Sequence, residues 1–554
     1  MNFPFRGINK SDPRLVEFIP LHAESIVNSS RRSIPKEDLF KYTNGRFLAE
    51  EGDQLSKRFV HFDVDRLCNV IAGISRTGAL QVSKIEKMEG GFSKVLLMTT
   101  MDGSEYIVKI PCPNAGRPMY CTASEVAVLN FGILGSVRAH TTIPVPKVLT
   151  WSADSTNPVG AEYIVMERVP GVQVFRKWDE MGEGNRISII KRLTQWEREL
   201  SGIRFPAFGS LYLKSSLRDH ESISLDPSVD PEGVYCVGPS CDPTWRIQPN
   251  NGVRCGPWKT ISDLGISLIN RSLLTSVDHL SPKLPTSLKG ALQEHSLVLD
   301  MAKAIMSAVA NNPKIRGQSQ PTLWQTDLHM GNIFVAEDDP AKVTGFIDWQ
   351  HTSISPSFLQ VRWPIFLAPP EGYQEGQVMP QLPPNFENMD DEEKEIALYI
   401  KSKATWTKAY EVAAFLNNRE AWRAMRVPSP LKELFRRCGQ TWEEGIIPLR
   451  ETLIELFRNQ RELGFEAESL PLRFTDEQIA LHTKEFETYQ EWHEIRSFLK
   501  QILDTDDDGW IPPERDFKEM KARNRMLFDH YVSEMGSSKT SDEVRDFWPF
   551  PLDT

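Results

Sequence analysis

A chain of 554 residues with 25% charged and 40% hydrophobic content is long enough for several domains and ordinary enough in composition to be globular. Its formal net charge of −11 argues against broad binding to nucleic acid or to an anionic membrane surface. It holds no run of about eighteen apolar residues, so no membrane span is expected.

Residues 1–41 read as a leader. Arg6, Arg14, Arg31 and Arg32 suit a targeting segment, whereas Asp12, Glu17, Glu24 and the breaks at Pro4, Pro13 and Pro20 suit a partly ordered strand. After Tyr42-Thr-Asn-Gly-Arg46 comes a polar, helical stretch to about Gly73. A strand is expected over Val82–Met88, a glycine turn at Glu89-Gly90-Gly91-Phe92, and a second strand over Val95–Thr100. Asp102-Gly103 is a hairpin signal, with a third strand over Glu105–Ile110. Gly90 and Gly91 serve either as a tight turn or as bare backbone that lets phosphates approach. Lys109, at the end of the third strand, is either a solvated edge residue or a nucleotide-facing lysine that supports no core. Thr122-Ala-Ser-Glu125 opens a helix; Glu125 either completes a capping box with Thr122 or pairs with Lys109. A further apolar strand spans Glu162–Arg168.

Residues 171–320 read as mostly helical, with loops near 204–260. The densest chemistry follows: Gln325-Thr-Asp327-Leu-His329-Met-Gly-Asn332 leads into an apolar strand, a polar turn and a second strand ending at Asp348-Trp349. Such a hairpin gathers Asp327, Asn332 and Asp348. Asp-x-x-x-x-Asn followed by a strand-end Asp is the part list of phosphoryl transfer. One carboxylate takes the acceptor hydroxyl's proton, and an amide oxygen with a second carboxylate holds Mg2+ on the phosphates of ATP.

Pro364–Pro384 is a proline-rich strap, and helices are expected near 388–425, 443–463, 475–503 and 514–535. Met389–Glu395 reads as a charged first helical turn. Asp504-Thr-Asp506-Asp-Asp508-Gly509 resembles the start of a calcium-binding loop. Its twelfth position is Arg515 instead of a bidentate Glu, so an acidic turn capping the Glu514 helix is the better reading. The seven cysteines are scattered, and none completes a zinc spacing.

Asp327-Leu-His-Met-Gly-Asn332 and Ile347-Asp348-Trp349 resemble the catalytic and metal-binding loops of the aminoglycoside phosphotransferase and choline kinase-like branch of the protein-kinase fold. One position departs: Gln325 stands where that family has His. Together with Tyr42–Arg46, Glu89–Phe92, Thr122–Val126, Asn157–Tyr163 and Gly256–Trp258, these segments resemble the fungal "altered inheritance of mitochondria protein 9" type, over roughly Tyr42 to Trp510. The resemblance implies an α+β, two-lobed kinase-like fold with a small antiparallel β lobe, a larger helical lobe and a helical C-terminal elaboration. It divides the chain into a leader (1–41), a nucleotide-binding lobe (42–170), a catalytic lobe (171–363), and a strap with a helical region (364–554). It implies that Asp327 is the base, that Asn332 and Asp348 are metal ligands, and that Lys109 and Glu125 are the nucleotide pair. Hinge backbone around Glu167 to Val169 would then meet adenine. The expected activity is transfer of phosphate from ATP to a hydroxyl of a small molecule or protein. The rival is a catalytically weak nucleotide-binding scaffold whose C-terminal helices dock a protein partner. The implied address is mitochondrial, with a cytoplasmic one as the alternative.

Overall fold

A computed structural model describes residues 34–74, 81–133, 141–218, 221–245, 253–274, 280–281, 283–466, 469–535 and 540–552. Most of the leader, residues 1–33, lies outside them. After a 3-10 turn at Lys36–Leu39 come a short strand, β1 (Arg46–Phe47), and helices α1 (Glu51–Ser56) and α2 (Val64–Ile74). Apolar residues recur at helical spacing on α2, so Val64, Leu67 and Ile71 form one buried stripe. It packs with Leu96, Met98 and Val108 of the first sheet.

That sheet contains β2 (Val82–Glu89), β3 (Ser93–Thr100), β4 (Glu105–Pro111), β5 (Val148–Ser152) and β6 (Tyr163–Glu167), with α3 (Tyr120–Ile133) between β4 and β5. Its order is β2-β3-β4-β6-β5, and every pair is antiparallel. Asp102 closes the β3–β4 turn as expected, its Oδ1 accepting from Thr100 Oγ1 (2.6 Å) and Ser104 N (3.0 Å). The capping box at Thr122 does not form. The helix α3 opens at Tyr120, and the Thr122 hydroxyl donates to Glu162 Oε2 at 2.6 Å, because a partner across the fold outcompetes the local cap.

After β6 the chain runs through Gly171. A Cβ there would lie 2.1 Å from the Val335 carbonyl oxygen, and φ is +95°, so only glycine fits this approach. Next come β7 (Val172–Gln173), α4 (Phe175–Trp178) and the long α5 (Glu183–Gly202). The expected loops near 204–260 contain an antiparallel sheet of β8 (Ser210–Leu213), β9 (Ile223–Ser224) and β10 (Tyr235–Gly238), ordered β8-β10-β9. These strands have two to four residues and β10 is buried throughout, so no period of two is visible in the sequence. Helices α6 (Ile261–Leu273), α7 (Thr286–Lys289), α8 (Leu292–Ala310) and α9 (Pro313–Arg316) follow.

Two small strand pairs then carry the Asp-rich segment. The first is β11 (Pro321–Trp324) with β14 (Ser353–Pro356). The second is β12 (Ile333–Val335) with β13 (Val343–Phe346), and β7 lies on the other side of β12. A short α10 (Ser357–Gln360) leads to the strap.

Beyond the strap lie α11 (Asp391–Asn417), α12 (Arg419–Met425), α13 (Ser429–Glu444), α14 (Ile447–Arg458) and α15 (Asp476–Ile502), then β15 (Trp510–Ile511), α16 (Phe517–Met535) and α17 (Ser541–Asp546). The charged opening of α11 holds as expected: Asp390 and Glu393 form a capping box over an acidic first turn. The helix expected over 388–425 breaks at Asn418, whose side chain accepts from Ala421 N and caps α12. The helix α13 was not anticipated, although Leu431, Leu434, Phe435 and Cys438 bury one face of it. The Glu514 helix is corrected too. It starts at Phe517, and Asp516 accepts from Lys518 N (2.8 Å) while Arg515 pairs with Asp504 (2.8 Å). Tyr410 seats α11 on α5 by donating its hydroxyl to Glu197, whose carboxyl burial pushes up to about 8 against the pull of that bond.

Candidate active site

The β12–β13 hairpin fixes the spacing that the sequence suggested. Ile333 pairs with Phe346, and Ile347 N donates to Asn332 O at 3.0 Å, so Asn332 and Asp348 leave the hairpin side by side. Within the preceding loop, Asn332 Nδ2 donates to the Asp327 carbonyl at 3.0 Å. Its Oδ1 is therefore the atom left to meet a cation, since the flipped amide would set two oxygens against each other. His329 Nδ1 accepts from Gly331 N at 3.1 Å and caps the turn Met330–Asn332, a role within the loop itself. The Asp327 side chain is 57% exposed, with one oxygen 4.0 Å from His329 Nε2.

Gln325 ties the two acidic segments together. Its Nε2 donates to the Asp348 carbonyl at 2.5 Å, and its Oε1 accepts from Asp327 N at 3.1 Å. One side chain thus fixes both backbones, using the acceptor and the donor that an amide carries together. The fixing matters because Asp348 has φ of +58°, a left-handed conformation that costs an ordinary residue roughly 1–2 kcal/mol.

Lys109 lies in the middle of the first sheet, between Val95 of β3 and Ile164 of β6. Only 7% exposed, it donates to Glu125 Oε1 at 2.7 Å and to Asp348 Oδ1 at 2.8 Å. The solvated-edge alternative is thereby excluded, and so is the expectation that this lysine supports no core. Burial would push the Lys109 ammonium down, but the two carboxylates outweigh burial and hold it above the usual lysine range. Burial pushes Glu125 up despite Lys109. For Asp348 burial also pushes up, but the ammonium prevails and holds its carboxyl below the ordinary range. The Asp348 side chain is 43% exposed, so the pair opens toward solvent on the side of Asp348.

Gly90 and Gly91 form the tip between β2 and β3. Neither is at positive φ, and a Cβ at either would meet nothing within 4 Å, so both face open space. The tip is held down from beyond Asp348: Ser93 Oγ bonds Gln350 Oε1 at 3.1 Å, and the Phe92 ring lies edge-on to His351 at 5.3 Å. Sequence reasoning passed over Gln350 and His351, although they directly follow Asp348-Trp349. It also missed Arg362, whose Nε donates to the Thr326 carbonyl at 3.1 Å beside Asp327.

Glu167 ends β6 opposite Tyr106 and donates its N–H to Lys147 O at 3.0 Å. Val169 is buried against β13, where a Cβ on Gly345 would come within 2.5 Å of it. The structure thus gathers Lys109, Glu125, Asp327, Asn332 and Asp348 into one bonded group, with Gly90 and Gly91 at its edge through Ser93. Glu167 and Val169 form the strand end behind it.

Among the described residues no cluster of three or more His, Cys, Asp or Glu makes an all-protein metal cage. Asn332 and Asp348 instead offer two hard oxygen donors, which suits Mg2+ because it usually binds through one or two protein oxygens plus phosphates.

No family model matches the chain. It is 28% identical over 502 residues to a subtelomeric hrmA-associated cluster protein of Aspergillus fumigatus, covering 83% of this chain and 95% of that one. It is 23% identical over 530 residues to "altered inheritance of mitochondria protein 9, mitochondrial" of Yarrowia lipolytica, covering 89% and 87%. The Saccharomyces cerevisiae protein of the same name is 22% identical over 566 residues, covering 86% and 87%. Among solved structures, an aminoglycoside phosphotransferase of Streptomyces rimosus matches at 13% identity and TM-score 0.31, over 70% of this chain and 97% of that one. The chain is thus similar to the Aspergillus cluster proteins and to the altered inheritance of mitochondria protein 9 group, and its described residues combine a five-stranded antiparallel sheet with many helices in an α+β fold.

Proposed function

We propose that this protein transfers the γ-phosphoryl group of ATP to a hydroxyl of a small molecule or a protein. The observation that carries the reading is the Lys109 ammonium bonded at once to Glu125 (2.7 Å) and Asp348 (2.8 Å). Strand β4, helix α3 and the segment after β13 converge to bury one ammonium between two carboxylates. Hydrophobic residues would stabilise a core at that point as well or better, so the pair is better explained by chemistry than by stability.

Asp327 takes the proton of the acceptor hydroxyl as that oxygen bonds to the γ-phosphorus. The bond from phosphorus to the bridging oxygen of ADP breaks, and ADP leaves. Lys109 has three donor hydrogens, two of them engaged, and the third is available to a phosphate oxygen. Asn332 Oδ1 and the Asp348 carboxylate would hold Mg2+, which when bound neutralises phosphate charge. The Gly90-Gly91 tip covers the phosphates with bare backbone, and backbone near Glu167 and Val169 pairs with adenine. Residues 42–170 and 171–363 form the nucleotide-binding and catalytic lobes in this reading. Catalysis on such a plan is mostly positioning and charge neutralisation, so few groups suffice. The two hydrogen bonds of Gln325, to the Asp348 carbonyl and from the Asp327 N–H, support an enzyme over the scaffold alternative, because the brace that His supplies in the resembled family is present in another form.

The test is a titration of ATP with and without Mg2+ into wild type and Asp348→Ala. Wild type should bind more tightly with Mg2+, and the variant should lose that difference. A variant that keeps the full Mg2+ effect would remove Asp348 as a ligand.

The yeast relatives carry "mitochondrial" in their names, and the basic residues of the leader suit such an address. We assign the protein to mitochondria on that ground. A reporter fused to residues 1–41 that stays in the cytosol would overturn the assignment.

A further inference from the structure

The acidic stretch Asp504–Gly509 and the Tyr42–Arg46 stretch stand out in sequence, and neither belongs to the catalytic plan. They meet in space. The strand β15 pairs with β1 in antiparallel register, Phe47 opposite Trp510 and Arg46 opposite Ile511. Leu48 N also donates to Gly509 O at 2.7 Å. Trp510 Nε1 donates to the Asn44 carbonyl at 2.8 Å with the indole 8% exposed. Gly45 makes this seat possible, since a Cβ there would come within 2.3 Å of Trp510 Nε1 and φ is +102°.

The acidic residues hold the same junction, and cations and backbone already occupy them. Asp506 Oδ1 accepts from Asp508 N and Trp510 N, closing the turn that presents the indole. Asp508 pairs with Arg58 (3.5 Å) and with Lys283 (2.7 Å), so it joins the first lobe, the helical lobe and the C-terminal region. The Arg58 guanidinium in turn lies 4.6 Å from the centre of the Phe47 ring.

From this junction the bonds run to the glycine tip. Asn44 Nδ2 donates to the Glu89 carbonyl at 3.2 Å, and Thr43 donates its N–H (2.6 Å) and its hydroxyl (2.7 Å) to Glu89 Oε1. Glu89 is the residue before Gly90, 7% exposed, and its other oxygen takes the fully buried Lys94 ammonium at 2.7 Å. Both ends of the tip are therefore gripped, Glu89 on β2 and Lys94 on β3. The grip belongs to a segment that is seated by Trp510.

We infer that the C-terminal turn Asp504–Trp510 is a positioning clasp for the glycine tip: through Asn44, Thr43 and Glu89 it sets where the Gly90-Gly91 backbone stands over the phosphates. The inference rests on the nucleotide site proposed above. The helical C-terminal region is on this account part of the nucleotide site, and anything that lifts Trp510 from Asn44 loosens phosphate binding without touching Lys109, Asp327 or Asp348.

The test uses the full chain with Trp510→Phe, which keeps the ring and removes the indole N–H, and with Asp508→Asn as an independent second lesion. Two quantities are measured: amide hydrogen exchange over residues 88–95 without nucleotide, and affinity for ATP with Mg2+. Both variants should exchange faster there, retain the circular dichroism of wild type, and bind ATP about threefold to tenfold more weakly, the size of one lost hydrogen bond or ion pair. Exchange over 88–95 unchanged in both variants would overturn the clasp, and so would faster exchange with unchanged ATP affinity. If wild type itself binds no ATP, the proposed function fails. The exchange readout then still decides whether the clasp holds the tip.

Discussion

Asp327→Ala is expected to bind ATP as wild type does and to lose turnover by about 10²–10⁴-fold, the usual contribution of a positioned general base. The side chain is 57% exposed, so its removal should leave thermal stability within the scatter of surface substitutions. Its backbone does the structural work, with the N–H bonded to Gln325 and the carbonyl to Asn332, and alanine keeps both. The expected signature is therefore a fall in kcat with the ATP affinity intact. A variant with wild-type turnover would move the base elsewhere, and a variant that fails to bind ATP would mean that this carboxylate holds the nucleotide instead.

Lys109→Met is expected to fail in two ways at once. ATP affinity should fall because the phosphates lose their cation. Stability should fall as well, because removing one partner leaves Glu125 and Asp348 facing each other without a counter-charge, a loss of about 3–5 kcal/mol at neutral pH. The second loss has a pH signature. Glu125 already lies above the ordinary carboxyl range, since burial outweighs the attraction of Lys109. Without the ammonium it rises further, so the folded variant holds a proton that the unfolded chain releases above the ordinary glutamate range. Folding then takes up a proton, and stability is lost as pH rises through that window. The gap in melting temperature between wild type and variant should therefore be larger at pH 8 than at pH 5. A gap that does not change with pH would mean that Glu125 is not the group left uncompensated.

The parts of this fold that were legible in sequence are those with local grammar. Asp102-Gly103 announced its hairpin and Asp390 its helix start, because a turn or a cap is settled within a few residues. The Asp327–Asp348 segment was legible for a related reason: one hairpin brings its residues together. Lys109 and Glu125 stayed ambiguous because their meaning depends on Asp348, more than two hundred residues away. The β8–β10 sheet was missed since strands of two to four residues show no period, and α13 because the expected helices stopped near 425 and resumed near 443, leaving out its buried face of Leu431, Leu434, Phe435 and Cys438. Nothing near Tyr42–Arg46 indicated that Gly45 makes room for Trp510, 465 positions further on. Gln325 lies between these cases. Its departure from the family pattern was visible, but whether it weakens or replaces the brace depended on which atoms its amide reaches.

The measurement that bears most directly on the central claim is Mg2+-dependent ADP formation by the purified wild-type chain, beside Gln325→His. Gln325 already reaches both the Asp327 N–H and the Asp348 carbonyl, so wild type should turn over ATP, and the histidine variant should match it or gain modestly. ATP binding without turnover in wild type, with turnover appearing in Gln325→His, would contradict the account and leave a nucleotide-binding scaffold in its place.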